Sequence, residues 1–481
     1  MICTFETLPN EVLIIIFSYL SWLEMLTLWP LNHRISNLIC SIISINDNRQ
    51  NSGIVIKDSG LSYDKYYLRL LPFLNHSSLL SFCSCIRRMC SDGTNSIACN
   101  ISYEWIFFQN NDKKMLRFPF LKSLVLTRCW LSGPLIQNLS SLIYNQLDEL
   151  ILTFDKDTFN ALRYELPSVN RKYNKKKLLD MFKHFLCQLF SSQCQLNSLR
   201  LDIGSYDIDQ CIKIFSDSYY NPILNQFQSS CMTLSRLYIR IKCTYFLEHL
   251  IEHIPALERL SVEFNKTLNI QPRSVSLIEK LCQSNGNWYN KVPNLRYFAL
   301  KSFILNDLEF VYLKWLLNNL NHVQKLKLRL GNEKRYRTDQ IIWKSFIDAN
   351  FVQQYCLPDI IDNIINFDFY ISSPCQLLPI DAEKVVSSFQ YHPLFINRQW
   401  TNIKYFYDPI RSYQHLFSTN INITLQSFNG LVNDPYVFQW PNIQHISIDF
   451  HPSLYIFLEQ LDEKFPSVSS ITVYMGKYLL L

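Results

Sequence analysis

The stretch Leu257-Glu258-Arg259-Leu260-Ser261-Val262 places an apolar residue, two variable residues, an apolar residue, one variable residue and a last apolar residue in succession. Its final three positions alternate as a short β-strand does, with two apolar side chains on one face. Pro255 stands two residues ahead, where a proline ends a helix and leads the chain into extended backbone. The stretch therefore predicts a strand that follows a helix.

The same pattern recurs along most of the chain. The copies are Leu121/Leu124/Leu126, Leu147/Leu150/Leu152, Leu196/Leu199/Leu201, Leu234/Leu237/Ile239, Leu257/Leu260/Val262, Leu295/Phe298/Leu300, Val323/Leu326/Leu328, Ile364/Phe367/Phe369, Ile443/Ile446/Ile448 and Val468/Ile471/Val473. Helical stretches such as residues 178–190, 308–320 and 454–465 lie between copies, and a further copy near Ile403/Phe406 would divide the longest interval. Strand and helix in alternation predict an α/β fold of stacked repeats that share one core.

This arrangement resembles leucine-rich repeats over about residues 119–481, with a weaker sign at Ile54-Val55-Ile56. The Asn or Cys that closes the strand in that family occurs only as Cys129 and Asn265, so the resemblance implies an irregular horseshoe-shaped solenoid. Its concave face would present the variable strand positions to a protein substrate. The candidate substrate-binding residues are Arg200, Tyr238, Arg240, Lys301, Lys327 and Arg329. They are more basic than acidic, which indicates either an acidic or phosphorylated partner or ordinary solvated charges.

The first forty-five residues have a different, helical pattern. Pro9 suits the first position of a helix, and Glu11 favours the positive end of the helix dipole. Further short helices are predicted over residues 22–29 and from Leu31 onward, with Pro30 between them. Residues 12–17 are apolar on nearly every side, so these helices carry more apolar surface than they can bury among themselves.

Residues 5–40 resemble an F-box. The resemblance rests on Leu8-Pro9, Glu11, Ile16-Phe17-Ser18-Tyr19-Leu20, three leucines of the second helix, and Asn32-His33-Arg34 with Leu38. It implies a three-helix module that binds the Skp-type adaptor of a cullin–RING ubiquitin ligase. The implied adaptor-binding residues are Leu8, Pro9, Leu13, Ile16, Leu20, Leu26 and Leu28. The alternative is a helical cap that covers only the first repeat.

Composition excludes several other classes of protein. The 481 residues contain only 9 glycines, and neither a dinucleotide-binding nor a P-loop motif occurs, so no nucleotide cofactor is expected. The net charge of +6 is spread along the chain, with one dense basic run at residues 171–177 that we interpret as a solvated loop. We therefore expect no nucleic-acid partner. No stretch is long and apolar enough for a membrane span, and the fifteen cysteines lack paired zinc-binding spacing.

One catalytic motif is present in outline. His249-Leu250-Ile251-Glu252-His253 matches the HxxEH pattern of zinc peptidases, in which two histidines share one helical face. A third ligand at a suitable spacing is not evident, so we interpret the motif as a solvated helix end and expect neither a metal nor a catalytic residue.

The sequence thus predicts an α/β chain with a three-helix F-box at residues 1–45, a linker with degenerate repeats at 46–118, and a leucine-rich-repeat-like solenoid at 119–481. The expected function is non-catalytic: recognition of a protein substrate within a ubiquitin ligase of the cytoplasm or nucleus. The alternative is a repeat scaffold outside any ligase, with a helical N-terminal cap.

Overall fold

The computed structural model describes residues 8–20, 24–25, 28, 32–44, 54–56, 80–92, 108–109, 112–116, 118–154, 169–203, 230–241, 244–268, 288–332, 342, 347–374, 379–408, 413–418, 424–426, 445–449 and 470–474. The helices are α1 (Asn10–Ser18), α2 (His33–Ser44), α3 (Leu80–Cys85), α4 (Gly133–Asn145), α5 (Val169–Leu189), α6 (Thr244–Ile251), α7 (Asp307–Asn319), α8 (Ala349–Cys356), α9 (Pro379–Tyr391) and α10 (Pro393–Asn397). A 3₁₀ turn spans Trp288–Asn290.

The strands fall into three groups along the chain. The first eight are β1 (Ile54–Ile56), β2 (Arg88–Asp92), β3 (Phe108–Gln109), β4 (Asp112–Leu116), β5 (Ser123–Cys129), β6 (Glu149–Phe154), β7 (Ser198–Asp202) and β8 (Arg236–Ile241). The next six are β9 (Arg259–Thr267), β10 (Tyr297–Phe303), β11 (Lys325–Gly331), β12 (Asn366–Pro374), β13 (Ile403–Asp408) and β14 (Tyr413–Ser418). The last are β15 (Thr424–Gln426), β16 (His445–Asp449) and β17 (Ser470–Tyr474).

The chain divides into two compact units, of which the first comprises residues 1–241 and 245–258. Its strands β1, β2, β5, β6, β7 and β8 lie in that order in a sheet, and every neighbouring pair is parallel. The register aligns the same position of each sequence pattern, so that Leu124, Leu150, Leu199 and Leu237 form one row across the sheet. All four are at most 2% exposed. Helix α5 packs on α4, and α1 packs on α2.

The second unit comprises residues 242–244 and 259–481. Its sheet has the order β9-β10-β11-β12-β14-β13, in which the first four strands are parallel and the last two antiparallel. Leu260, Phe298, Leu326 and Phe367 form its buried row. Four helices begin with side-chain caps in the described region: Asn32 for α2, Ser132 for α4, Asn306 for α7 and Asp348 for α8. Each cap accepts a backbone N–H that the first helical turn leaves unpaired.

The second and third apolar positions of all ten copies lie in strands: β5 to β12, β16 and β17. Ile54-Val55-Ile56 also forms a strand, β1, and the helices predicted over residues 178–190 and 308–320 are confirmed as α5 and α7. The helix predicted over residues 454–465 lies outside the described residues. The basic run at residues 171–177 lies within α5, so its interpretation as a loop was wrong.

The predicted architecture, a three-helix F-box followed by a leucine-rich-repeat horseshoe, is wrong. The structure is an α/β fold built on a mostly parallel sheet, and the described part of the N-terminal segment has two bounded helices, α1 and α2. The expected further copy near Ile403/Phe406 is strand β13, but β13 is antiparallel to β14, which no repeat array would produce. The physical reason is that the apolar pattern specifies buried parallel strands, whereas a solenoid also needs connections of constant length.

Candidate functional site

Helix α1 has a buried and an exposed apolar side. It begins after Pro9, whose backbone is extended, and carries Glu11 in its first turn. Leu13 and Phe17, one helical turn apart, are completely buried at the contact with α2. On the other side Val12, Ile15 and Tyr19 are 39%, 59% and 84% exposed. These three residues follow the i, i+3, i+7 spacing of one helical stripe, which we call the α1 apolar face.

Arg34 holds the start of α1 in place. Its Nε donates a hydrogen bond to Asn10 Oδ1 at 2.8 Å, and its Nη2 donates to the carbonyl oxygen of Leu8 at 2.5 Å. Asn32 caps α2, because its Oδ1 accepts the backbone N–H of Ile35 at 2.8 Å. Ile35 and Ile39 are fully buried within α2. The orientation of α1 is therefore fixed from both its polar and its apolar side.

The residues predicted to bind an adaptor are not all on the surface. Pro9 is exposed, whereas Leu8, Ile16, Leu20 and Leu28 are half-buried. Leu26 lies outside the described residues. Leu13, also predicted to contact the adaptor, has a side chain that is 0% exposed and therefore does not lie on the surface of α1. Val12, Ile15 and Tyr19 are exposed and were not among the predicted residues, although their helical spacing could have indicated them.

The polar face of the first unit's sheet brings Arg200, Tyr238 and Arg240 together. Arg200 and Tyr238 are register partners on β7 and β8, and the Arg200 guanidinium carbon lies 4.4 Å from the centre of the Tyr238 ring. A cation in that position is attracted by the negative face of the ring. Arg240 donates to Asp202 Oδ2 at 3.3 Å, so its charge is paired within the sheet. Thus only part of this predicted set presents cationic charge to a partner.

The polar face of the second unit's sheet brings Lys301, Lys327 and Arg329 together. Lys301 on β10 and Arg329 on β11 are register partners, and Lys327 precedes Arg329 by two residues on the same side. Arg259 and Lys325 are both register partners of Tyr297, and their row is next to the row of Lys327. We call these five cations the unit 2 basic face.

Two carboxylates lie within the unit 2 basic face and were missed in the sequence. Lys301 Nζ is 2.9 Å from Glu263 Oε1, and Asp368 is the register partner of Lys327. Burial, and then the neighbouring charge of Arg329, lowers the pKa of Lys327, while burial raises the pKa of Asp368. Five cations against two carboxylates leave a positive excess, and the repulsion between Lys327 and Arg329 would be relieved by an anion.

The small side chains of Ser261 and Ala299 occupy the centre of this face. They are register partners in the row of Lys327, between the row of Arg259 and Tyr297 and the row of Glu263 and Lys301. Longer side chains therefore surround a two-residue low point.

The histidines of the HxxEH motif lie at and beyond the end of α6. His249 is in its last turn, and the backbone N–H of His253 donates to the carbonyl oxygen of Leu250 at 3.0 Å. The carbonyl oxygen of His253 in turn accepts the backbone N–H of Cys231 at 2.8 Å. Burial lowers the pKa of His253. Within the described ranges, no three His, Cys, Asp or Glu side chains converge as metal ligands do.

No helix in the described part of the chain has both the length and the hydropathy to cross a bilayer. No protein-family model matches the sequence, and a search of curated proteins finds no significant relative.

Proposed function

We propose that the α1 apolar face binds an Skp-type adaptor and that the chain acts, without catalysis of its own, as the substrate-recognition subunit of a cullin–RING ubiquitin ligase. The observation that carries this proposal is the exposed stripe of Val12, Ile15 and Tyr19 on a helix whose other side is fully packed. The resemblance of residues 5–40 to the F-box motif supplies the identity of the adaptor. A ligase of this kind works in the cytoplasm or the nucleus.

The energetics of docking depend on a few exposed anchors. Burial of one aliphatic or aromatic side chain contributes roughly 1.5–3 kcal/mol. The three residues of the α1 apolar face could therefore supply much of a stable interface, since a few residues usually dominate the binding energy. Leu13 and Phe17 would contribute indirectly, because they hold α1 against α2.

The polar sheet faces would bind the substrate. In this proposal the unit 2 basic face contacts a protein substrate, and other subunits carry the ubiquitin-charged enzyme. Holding the two reactants together raises their effective concentration, which is how a receptor without catalytic groups accelerates transfer.

A scaffold function outside any ligase is the second candidate. The observation that favours it is the complete burial of Leu13, one of the seven residues predicted to bind the adaptor. If α1 and α2 serve only to complete the core of the first unit, then the α1 apolar face has no adaptor to bind.

Co-purification with an Skp-type adaptor distinguishes the two functions. We expect the wild-type chain to retain the adaptor and an Ile15→Asp, Tyr19→Asp double variant to lose it, because both side chains are exposed and their replacement leaves the core intact. The matched control is a Phe120→Asp, Met232→Asp variant, which adds the same charges at exposed apolar positions of the same unit. Absence of the adaptor from the wild-type preparation would support the scaffold. Adaptor binding that survives the first double variant would place the adaptor on a surface other than the α1 apolar face.

A further inference from the structure

The cations of the unit 2 basic face lie in successive rows across the sheet. In the first row, Tyr297 of β10 lies between Arg259 of β9 and Lys325 of β11, and both cations are exposed. The second row contains Lys327 and the third contains Arg329, both half-buried. Residues two apart on a strand share one side of the sheet, so the three rows face the same way. Positive charge therefore extends along three rows.

The two carboxylates of this face lie on its outer strands. Glu263 is on β9 and Asp368 is on β12, on either side of β10 and β11. Glu263 Oε1 is 2.9 Å from Lys301 Nζ, so these two charges offset each other. Asp368 is the register partner of Lys327, yet burial and the charge of Arg329 outweigh its effect and lower the pKa of Lys327. The strip over β10 and β11 thus keeps an excess of positive charge.

The shape of the face leaves room in its middle row. Ser261 and Ala299 lie in the row of Lys327, so the longer side chains of the first and third rows stand on either side of them. A fourth row, further along the strands, carries no charge: Phe303, Gly331 and Ser372. The positive strip is therefore three rows long and lowest at its centre.

An extended polypeptide has the same repeat as these rows. Successive rows are two residues apart on each strand, which corresponds to about 7 Å. Every second side chain of an extended peptide also recurs at about 7 Å on one side of the backbone. A phosphate group would concentrate its charge at one point and would favour cations that converge there, whereas these cations are distributed along the strands.

We propose that the unit 2 basic face binds an extended acidic segment of a partner protein, in which a glutamate or aspartate occupies every second position over three rows. The segment lies along β10 and β11, and its middle carboxylate lies above Ser261 and Ala299, beside Lys327. This inference rests on the proposed function, because it names the class of substrate segment that this face would hold.

Synthetic peptides of identical composition test the spacing. One contains three glutamates that alternate with serine, and the other contains the same three glutamates in succession. We expect the alternating peptide to bind the full-length chain about two- to fivefold more tightly in fluorescence anisotropy, because consecutive glutamates turn one carboxylate away from the sheet and forfeit one ion pair. Equal affinities, or no binding of either peptide, would overturn the proposal. So would tighter binding of a peptide whose equal net charge is concentrated on one phosphoserine.

Neutral variants test the location. In a Lys325→Gln, Lys327→Gln variant the alternating peptide should bind more weakly and lose its advantage over the consecutive one. The matched control is Lys384→Gln, Lys404→Gln, which removes two exposed lysines from α9 and β13 of the same unit and should retain that advantage. Lys325→Gln alone leaves the half-buried Lys327 unchanged and should give a smaller decrease in affinity. Unchanged affinity in the first double variant would contradict the assignment of the face.

The peptide measurement is independent of the adaptor. If this inference fails, the chain should still retain the Skp-type adaptor through the α1 apolar face. If the ligase function fails instead, the adaptor is absent while the alternating peptide is still bound in preference to the consecutive one.

Discussion

Glu309 is a carboxylate that the fold keeps buried at the start of α7. Its Oε2 accepts the backbone N–H of Leu305 at 2.8 Å, while Asn306 Oδ1 accepts the backbone N–H of Glu309 at 3.0 Å. Both side chains thus accept backbone N–H groups at the start of α7, in an arrangement that differs from a capping box only because Glu309 bonds the residue before the N-cap. Only 3% of Glu309 is exposed, and burial raises its pKa from 4.5 to about 7. The neutral acid is therefore the form that the fold prefers.

Stability should consequently fall as the pH rises across the range between those two pKa values. The contribution of Glu309 is fully present below pH 4.5 and is lost as the pH rises through about 7. The loss amounts to about 3 kcal/mol at most, since one unit of pKa corresponds to about 1.4 kcal/mol. In a Glu309→Gln variant this pH dependence should disappear. Urea denaturation at about pH 5 and about pH 8 measures the difference.

The contrasting variant is Glu309→Ala, which removes the acceptor for Leu305 as well as the charge. It should be less stable than Glu309→Gln at both pH values, by about 1 kcal/mol for a lost cap. An unchanged pH dependence in Glu309→Gln would show that another group is responsible.

At the scale of the element, α1 separates residues that look alike in the sequence. Leu13→Ala should weaken the α1–α2 contact by about 2–5 kcal/mol, because it leaves a cavity at a completely buried position. Ile15→Ala should change stability by less than about 0.5 kcal/mol, because Ile15 is mostly exposed. Amide hydrogen exchange in α1 and α2 measures both variants, and faster exchange is expected for Leu13→Ala alone. Equal exchange rates in the two variants would contradict the orientation of α1.

The same helix shows what the sequence could not predict. Residues 12–17 are six large apolar side chains in succession, so apolar periodicity cannot tell which side of the helix faces the core. Only the contact with α2 selects Leu13 and Phe17. Strands were predictable for the opposite reason: in β10, buried Phe298 and Leu300 alternate with the half-buried Tyr297, Ala299 and Lys301, and that alternation is visible in the sequence.

Strand pairing at the end of the second sheet lay beyond sequence reasoning as well. Ile403 and Phe406 suggested one more parallel copy, whereas β13 runs antiparallel to β14. A strand's own residues determine whether it is buried, but the direction of its neighbour depends on the connection between them. The short connection from Asp408 to Tyr413 permits only an antiparallel return.

At the scale of the whole molecule, docking and substrate recognition should be separable. A Lys327→Glu, Arg329→Glu double variant should lose partners captured through the unit 2 basic face, because it reverses the charge of two adjacent cations. The same variant should retain the Skp-type adaptor, since the α1 apolar face is unchanged. Affinity purification of this variant and of the Ile15→Asp, Tyr19→Asp variant, with adaptor and captured proteins quantified side by side, measures the two functions at once.

The Ile15→Asp, Tyr19→Asp variant should give the reciprocal result. Captured proteins should remain while the adaptor is lost. Partner binding that is unaffected by charge reversal at Lys327 and Arg329 would place the substrate on another surface.

The candidate residues of the unit 2 basic face were predictable as exposed strand positions. Their pairing with Glu263 and Asp368 depends on strand register, which the sequence pattern alone does not fix.

The position of β14 between β12 and β13 has a consequence for how the chain is made. A ribosome releases β13 before β14, yet the place beside β12 belongs to the later strand. The second sheet therefore cannot grow in the order of synthesis, and β13 has no partner until Ser418 has emerged. Completion of this edge is therefore expected to follow the pairing of β9 to β12, which are synthesised earlier.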